Sequence, residues 1–220
     1  FYDTLINNDK TKYVSLEKYY KMVDARKNLD SLHPPRNVYT NMGKKINSEY
    51  NDYGPSINMK TGEFIFSSKR NIDQMGNINE DLYHSKYTNG QWDKATPIGL
   101  PINSGNNDGS PCISNDGDYL YFARCNCLRC EGNCDIFEVA REEDGSWGQV
   151  KNLGLNVNSI YWDSHPALSI TGDTLYFSSE RPGGFGGADI YYTTKRRDGS
   201  WTTAKNMGPV INTKNSEISP

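Results

Sequence analysis

The sequence predicts an all-β fold: a partial β-propeller of three complete four-stranded blades and parts of two others, preceded by a short helical segment. Three observations lead there. A unit of about 55 residues recurs, a spacing typical of propeller blades. Trp92, Trp147 and Trp201 fall 55 and then 54 residues apart, and Asp81, Asp135 and Asp189 fall 54 apart each time. Pro55, Pro111, Pro166 and Pro220 are separated by 56, 55 and 54, each with an acidic residue three positions earlier (Asp52, Asp108, Asp163, Glu217). Every unit also holds four short stretches rich in Tyr, Phe and Ile, the residues that favour a pleated surface. Finally, Xaa-Gly pairs separate the first stretch from the second and the third from the fourth, supplying the positive φ that tight hairpins require.

The elements follow in order. Ser15 is a candidate cap, Leu16, Tyr20 and Val23 keep helical spacing, and Pro34-Pro35 would stop the helix. Residues 1–36 therefore read as a helical linker or the end of a helical-repeat domain, and 37–220 as blades. NMGKKIN at 41–47 is the tail of a preceding unit. Complete units run over about 51–103, 107–158 and 162–212, and a fourth opens at 215. First strands are expected near residues 56–59, 112–114 and 167–170, and second strands at 63–67, 119–123 and 174–178. Third strands are expected at 81–85, 135–140 and 189–194, and a fourth around each Trp. The opening FYDTLINNDK is unlike a native N-terminus and NSEISP stops partway into a repeat, so the chain reads as a portion of a longer protein.

Composition supports this class and excludes others. Fifteen Tyr, seven Phe and four Trp supply buriable area in a chain only 35% hydrophobic. The net charge of −3 and the dispersed Lys and Arg leave no basic face for nucleic acid. No apolar run approaches the length of a membrane span.

In an up-and-down blade, the tight turns project from one face and the longer connections from the other. The second face receives residues 69–80, 124–134 and 180–188 together with the segments leading to Asp52, Asp108 and Asp163. Binding usually resides on loops held by a rigid scaffold, so this face is the expected site. Tyr161, Trp162, His165, Arg181 and Phe185 are the candidate binding residues. The repeated acidic residues invite a reading as a ring of carboxylates holding a cation, but repetition in every blade suits turn capping better. Arg70, Arg124 and Arg181 are expected to pair with these Asp residues. RPGGFGGAD at 181–189 runs into a strand and lacks the Lys-Ser/Thr and helix of a phosphate loop.

Cys125, Cys127, Cys130 and Cys134 lie within ten residues, in CNCLRCEGNC. Four thiolates so spaced suit a tetrahedral zinc ion, or alternatively two disulfides in any of three pairings; structural zinc sites more often use two CxxC pairs set well apart, and this run has one. Cys112, replacing Ser56 and Ala167 on a first strand, is expected to be a buried free thiol. No cofactor is implied beyond that alternative zinc. Catalysis would need a convergent acid–base pair, nucleophile or metal. Only His33, His84 and His165 are present, with no Ser elbow, HExxH or paired-Glu motif. A non-enzymatic role is expected, the alternative being a hydrolase or lyase acting near His165.

Residues 168–191, LSITGDTLYFSSERPGGFGGADIY, carry a resemblance. They are similar to the TolB-type, WD-repeat-like propeller repeat, and the likeness extends over residues 41–220. The arrangement resembles Bacteroidetes envelope proteins in which tetratricopeptide repeats precede the propeller and an OmpA-like domain follows, including PorE-like members of type IX secretion. The resemblance implies a periplasmic, outer-membrane-associated scaffold that joins outer-membrane or secretion proteins to peptidoglycan, the latter through a domain absent from these residues. It also implies an oxidising compartment, which favours disulfides over zinc.

Overall fold

A computed structural model of the chain describes residues 40–72, 76 and 78–220, together with Lys21 and Asp24. The helix expected around Leu16, Tyr20 and Val23, with its Ser15 cap and the Pro34-Pro35 stop, lies outside the described residues except for Lys21 and Asp24, which are helical. Met42–Pro220 form one compact unit, apart from Phe1–Asn41.

That unit is three consecutive antiparallel sheets. The first contains β1 (Asp52–Asn58), β2 (Glu63–Ile72), β3 (Ile78–Thr88), β4 (Gln91–Trp92) and β5 (Thr96–Pro97). The second is β6 (Asn107–Ile113), β7 (Tyr119–Cys125), β8 (Cys134–Ala140) and β9 (Lys151–Asn152). The third is β10 (Asp163–Leu168), β11 (Thr174–Ser179), β12 (Asp189–Thr194) and β13 (Lys205–Asn206). Strand order follows chain order in each, except that β5 pairs with β3 beside β4, and the first strand of one blade packs on the strands of the blade before it. This is propeller architecture.

The outer strand differs from expectation in one respect. It is split, so that Trp147 and Trp201 make single bridges to Arg141 and Lys195, and the ladder resumes four residues later in β9 and β13. The interval is spanned by lone backbone bonds, Gly148 to Ala140 and Thr202 to Thr194. The indoles meanwhile turn inward onto the sheet: Trp201 meets Tyr121 of the preceding blade edge-on, and Trp92 lies 5.3 Å from Phe64.

Alternation along the second strands explains how blades stack. Leu120 and Phe122 join Ile65 and Leu82 between blades 1 and 2, while Leu175 and Phe177 join Tyr121 and Ile136 between blades 2 and 3. Successive side chains of one strand thus serve opposite neighbours. Each fully buried side chain of this kind contributes about 1.5–3 kcal/mol.

Every first strand carries a bulge. Register slips between Tyr53 and Ser56, between Gly109 and Cys112, and between Ser164 and Ala167. The residue before each repeat proline is left-handed: Gly54 at φ 60°, Ser110 at 51°, His165 at 53° and Ser219 at 61°. Pro offers no N–H to the ladder, so it is accommodated where pairing is interrupted.

Candidate functional site

The recurring carboxylates are built into the scaffold. Asp163 is fully buried; Oδ1 accepts from Arg181 Nη2 at 2.6 Å, and Oδ2 accepts from the Ser159 N–H and hydroxyl. Asp52 and Asp108 repeat the arrangement with Arg70 and Ser48, and with Arg124 and Ser104. The same guanidinium groups also donate to Ile46, Ile102 and Val157 carbonyls in the segments that lead into the blades. Each lies over two rings of strands two and three: Phe66 and Tyr83, Phe122 and Phe137, Phe177 and Tyr191. Arg181, a candidate for binding, is therefore fastened inside the blade by a carboxylate, a carbonyl and two rings.

A second repeated device had no place in the reading of the sequence. Asn158 donates to the Ile136 carbonyl and accepts from the Ile136 N–H, and Asn212 does the same with Ile190 and Asn103 with Leu82. Beyond the end of the outer strand a buried amide here takes a strand neighbour's place, pairing the Leu82, Ile136 and Ile190 N–H groups and sharing their carbonyls with the Ile98, Leu153 and Met207 N–H groups. The signal was available, since each Asn closes a phrase of the type NLGLNVN.

The two described loops of the elaborated face are held from both sides. Asp135 accepts from the Glu131 and Gly132 N–H groups, and Asp189 from those of Phe185 and Gly186. Each loop then packs on the segment leading into the next blade. Asn133 N–H donates to the Tyr161 carbonyl, and Gly187 N–H to that of Asn215. At Gly132 and Gly186 a methyl group would overlap the carbonyl oxygens of Tyr161 and Asn215, so contact this close requires glycine.

The four clustered cysteines are paired, Cys125 with Cys134 and Cys127 with Cys130. Cys125 and Cys134 face each other across the β7–β8 ladder, and the second bridge sits within the loop they close. That loop presents Leu128 fully to solvent. Among the described residues no group of three or more His, Cys, Asp or Glu is arranged to hold a metal.

The candidate binding residues divide. Tyr161 and Phe185 are exposed on the loop face, as are Ile160 and Leu128. Leu128 and Ile160 were not among the candidates; an apolar residue bracketed by Cys127 and Cys130 was the sequence signal for the first. Trp162 is partly buried, its carbonyl accepting from Glu180 and its ring 5.5 Å from that of His165. His165 stands at the bulge of β10 and lines a cavity of about 430 Å³ between the first strands, with Ser110, Cys112, Pro166 and Ser219. Its Nδ1 is buried without a hydrogen-bond partner, and burial holds the imidazole below the ordinary histidine pKa.

Cys112 is a free thiol, but it is only partly buried and lines this cavity, where the sequence suggested burial. Cys112 packs against the core between blades 2 and 3 and also borders this cavity. Cys112 Sγ accepts from Leu168 N–H at 3.2 Å, as Ser56 Oγ accepts from Ile113 N–H at 2.9 Å, so the thiol serves as an interblade acceptor. Burial pushes it above the usual thiol pKa.

No family model matches the chain, and no curated protein is similar to it. Several solved structures are similar to it in part. TolB from Acinetobacter baumannii is 18% identical over 72% of this chain and 33% of its own, with a TM-score of 0.48. The TolB-type protein of Agrobacterium tumefaciens is 19% identical over 81% and 56%, also with a TM-score of 0.48. An α-L-arabinofuranosidase from Lactobacillus brevis is 14% identical over 72% and 54%, with a TM-score of 0.47. The chain thus spans from a third to just over half the length of these structures. Likeness at this level carries nothing about activity, and the propeller assignment rests on the blades themselves.

Proposed function

We propose that this chain is the protein-binding part of a bacterial cell-envelope scaffold and acts without catalysis. The observation that carries the reading is the placement of Leu128, Ile160, Tyr161 and Phe185, exposed on one face. The loops beneath them are fixed by two disulfides, by Asp135 and Asp189, and by the next blade's backbone. Side chains preorganised on a rigid base bind with little ordering cost, and aromatic residues such as Tyr161 are enriched among those that carry interface energy. The resemblance of residues 168–191 to envelope propellers supplies the compartment: a periplasmic protein tying outer-membrane or type IX secretion proteins to peptidoglycan through another domain.

The alternative is a propeller hydrolase or lyase centred on His165. A neutral imidazole with an unpartnered nitrogen in a cavity is the observation in its favour. The cavity walls are Gly, Pro, Ser, Cys, Ala and Leu besides that one His, and hold no carboxylate to complete an acid–base pair. This weighs against it.

The test is affinity purification of the full-length protein from detergent-solubilised envelopes, with Leu128→Ser/Phe185→Ser as the comparison. Outer-membrane or secretion proteins that co-purify with the native chain and are lost from the variant support the scaffold. A partner-free preparation that turns over a glycan or peptide, and stops on His165→Asn, overturns it.

A further inference from the structure

The loop face holds a cavity of about 510 Å³ at blade 2, bordered by the turn that the Cys127–Cys130 bridge closes. Phe137 and Val150 give it an apolar floor; Phe137 lies in the core between blades 1 and 2, and Val150 packs against that core. Asn106, Arg124, Arg129 and Asn152 give it polar walls, and among the described residues no carboxylate lines it. Two of those polar groups are already committed. Arg124 donates from Nε to Asp108 and from Nη2 to the Ile102 carbonyl, so its charge is balanced. Asn152 donates to the Arg129 carbonyl and to Asp135, and its Oδ1 accepts from Gly154 N–H and from Asn158. Arg129 differs: none of the ion pairs among the described residues involves its guanidinium.

The backbone that carries Arg129 is fixed. Cys130 N–H donates to the Cys127 carbonyl across the turn, and Asn152 holds the Arg129 carbonyl at 3.2 Å. Asp135 accepts from the N–H groups of Glu131 and Gly132 that follow. A ligand at this place therefore meets a preorganised wall. Blade 2 also departs from the repeat here. Asn106, two residues before Asp108, stands where blades 1 and 3 carry Tyr50 and Tyr161, so a shorter side chain borders the space.

We infer that this cavity captures the C-terminal residue of a partner protein, its carboxylate on the Arg129 guanidinium and an apolar side chain over Phe137 and Val150. The inference rests on the protein-binding reading above and adds the chemistry of the segment bound. The guanidinium fork suits a carboxylate, and the volume lies in the range of sites that enclose small ligands. A C-terminal residue joins carboxylate and apolar side chain on one Cα, which an internal Asp or Glu does not.

Calorimetric titration of the oxidised chain tests this with three acetylated Gly-Ser hexapeptides. One ends in Phe with a free carboxylate, one is the same peptide as its amide, and one is an amide with an internal Glu before the Phe. The free acid is expected to bind about tenfold more tightly than either amide, the effect of one charge-assisted bond. Arg129→Gln, at an exposed position, should erase that difference. Asn106→Tyr installs the residue that the neighbouring blades accommodate and should weaken the free acid by narrowing the cavity. Acid and amide bound alike by the native chain, or discrimination unchanged in Arg129→Gln, overturns the inference, as does equal binding of the internal Glu peptide. No binding of any peptide overturns it too, and envelope proteins that still co-purify would leave the scaffold standing without this cavity. Discrimination in a chain that co-purifies with nothing would keep the cavity and remove the scaffold.

Discussion

Replacing Arg181 with Ala tests whether the repeated arginines hold the blades together or serve a ligand. The substitution removes the 2.6 Å bond to Asp163, the bond to the Val157 carbonyl, the 2.7 Å bond to Ser179 Oγ and the contacts with Phe177 and Tyr191. Asp163 is fully buried and would keep only the Ser159 hydroxyl and N–H. Removing one partner of a buried pair costs about 3–5 kcal/mol, most of it from the charge left behind. Such a loss is a large fraction of the 5–15 kcal/mol typical of a domain. Asp163→Asn/Arg181→Ala should recover part of it, because no bare carboxylate remains buried. Denaturant unfolding of the native chain, both single variants and the double gives the coupling energy directly. Loss below about 1 kcal/mol for Arg181→Ala would refute the clamp, since that is the range of exposed ion pairs. Partner binding lost at unchanged stability would refute it too, returning Arg181 to the binding face.

Four further outcomes follow from the same geometry. Ser110 is left-handed where blade 1 has Gly54, so Ser110→Gly should stabilise by up to about 1 kcal/mol in thermal or denaturant unfolding, and Ser110→Val should destabilise. His165 has its folded pKa held below the unfolded value by burial, so the unfolded chain takes the proton first as pH falls. Its contribution is complete above the unfolded pKa near 6.5 and declines as pH drops towards the folded pKa, at up to about 1.4 kcal/mol per pH unit. Unfolding at pH 7.5 and 5.5 should show the native chain losing more stability than His165→Asn. Thiol titration of the denatured, unreduced protein should find Cys112 alone, whereas five thiols with one equivalent of zinc would restore the tetrathiolate reading. Cys125→Ser/Cys134→Ser, opening a loop of nine-residue separation, should cost about 2.5 kcal/mol in the chain-entropy account.

Blade architecture was legible in the sequence because the constraints that make a blade act locally and repeat. Turn glycines, alternating aromatics and Asp–Arg pairing are each dictated within one unit, so periodicity exposes them. Residues whose roles arise between units were harder to see. Asn103, Asn158 and Asn212 recur as faithfully as the tryptophans, but a buried amide standing in for a strand makes sense only once the outer strand is known to end beside it. Cys112 looked like a core residue because its strand is innermost, and the innermost strand here borders a cavity.

The glycine contacts also determine which perturbation of the loop face is informative. Residues 180–188 do two jobs: they expose Phe185, and through Gly186 and Gly187 they seat the backbone of residues 213–217. Glu217 N–H donates to the Ala188 carbonyl at 2.7 Å, so the loop is part of the joint between blade 3 and the segment that follows it. Replacing the whole loop by a short turn would therefore remove a binding surface and loosen a joint together, and a lost partner could not be assigned to either. Phe185→Ser and Leu128→Ser touch only side chains that project into solvent, and each should leave unfolding within about 0.5 kcal/mol of the native chain. Gly186→Ala does the reverse, placing a methyl group against the Asn215 carbonyl while Phe185 stays in sequence. Partner capture abolished by the first pair with unfolding unchanged locates recognition in the exposed side chains. Capture abolished by Gly186→Ala alone, with Phe185→Ser and Leu128→Ser silent, would instead locate it in the blade joint.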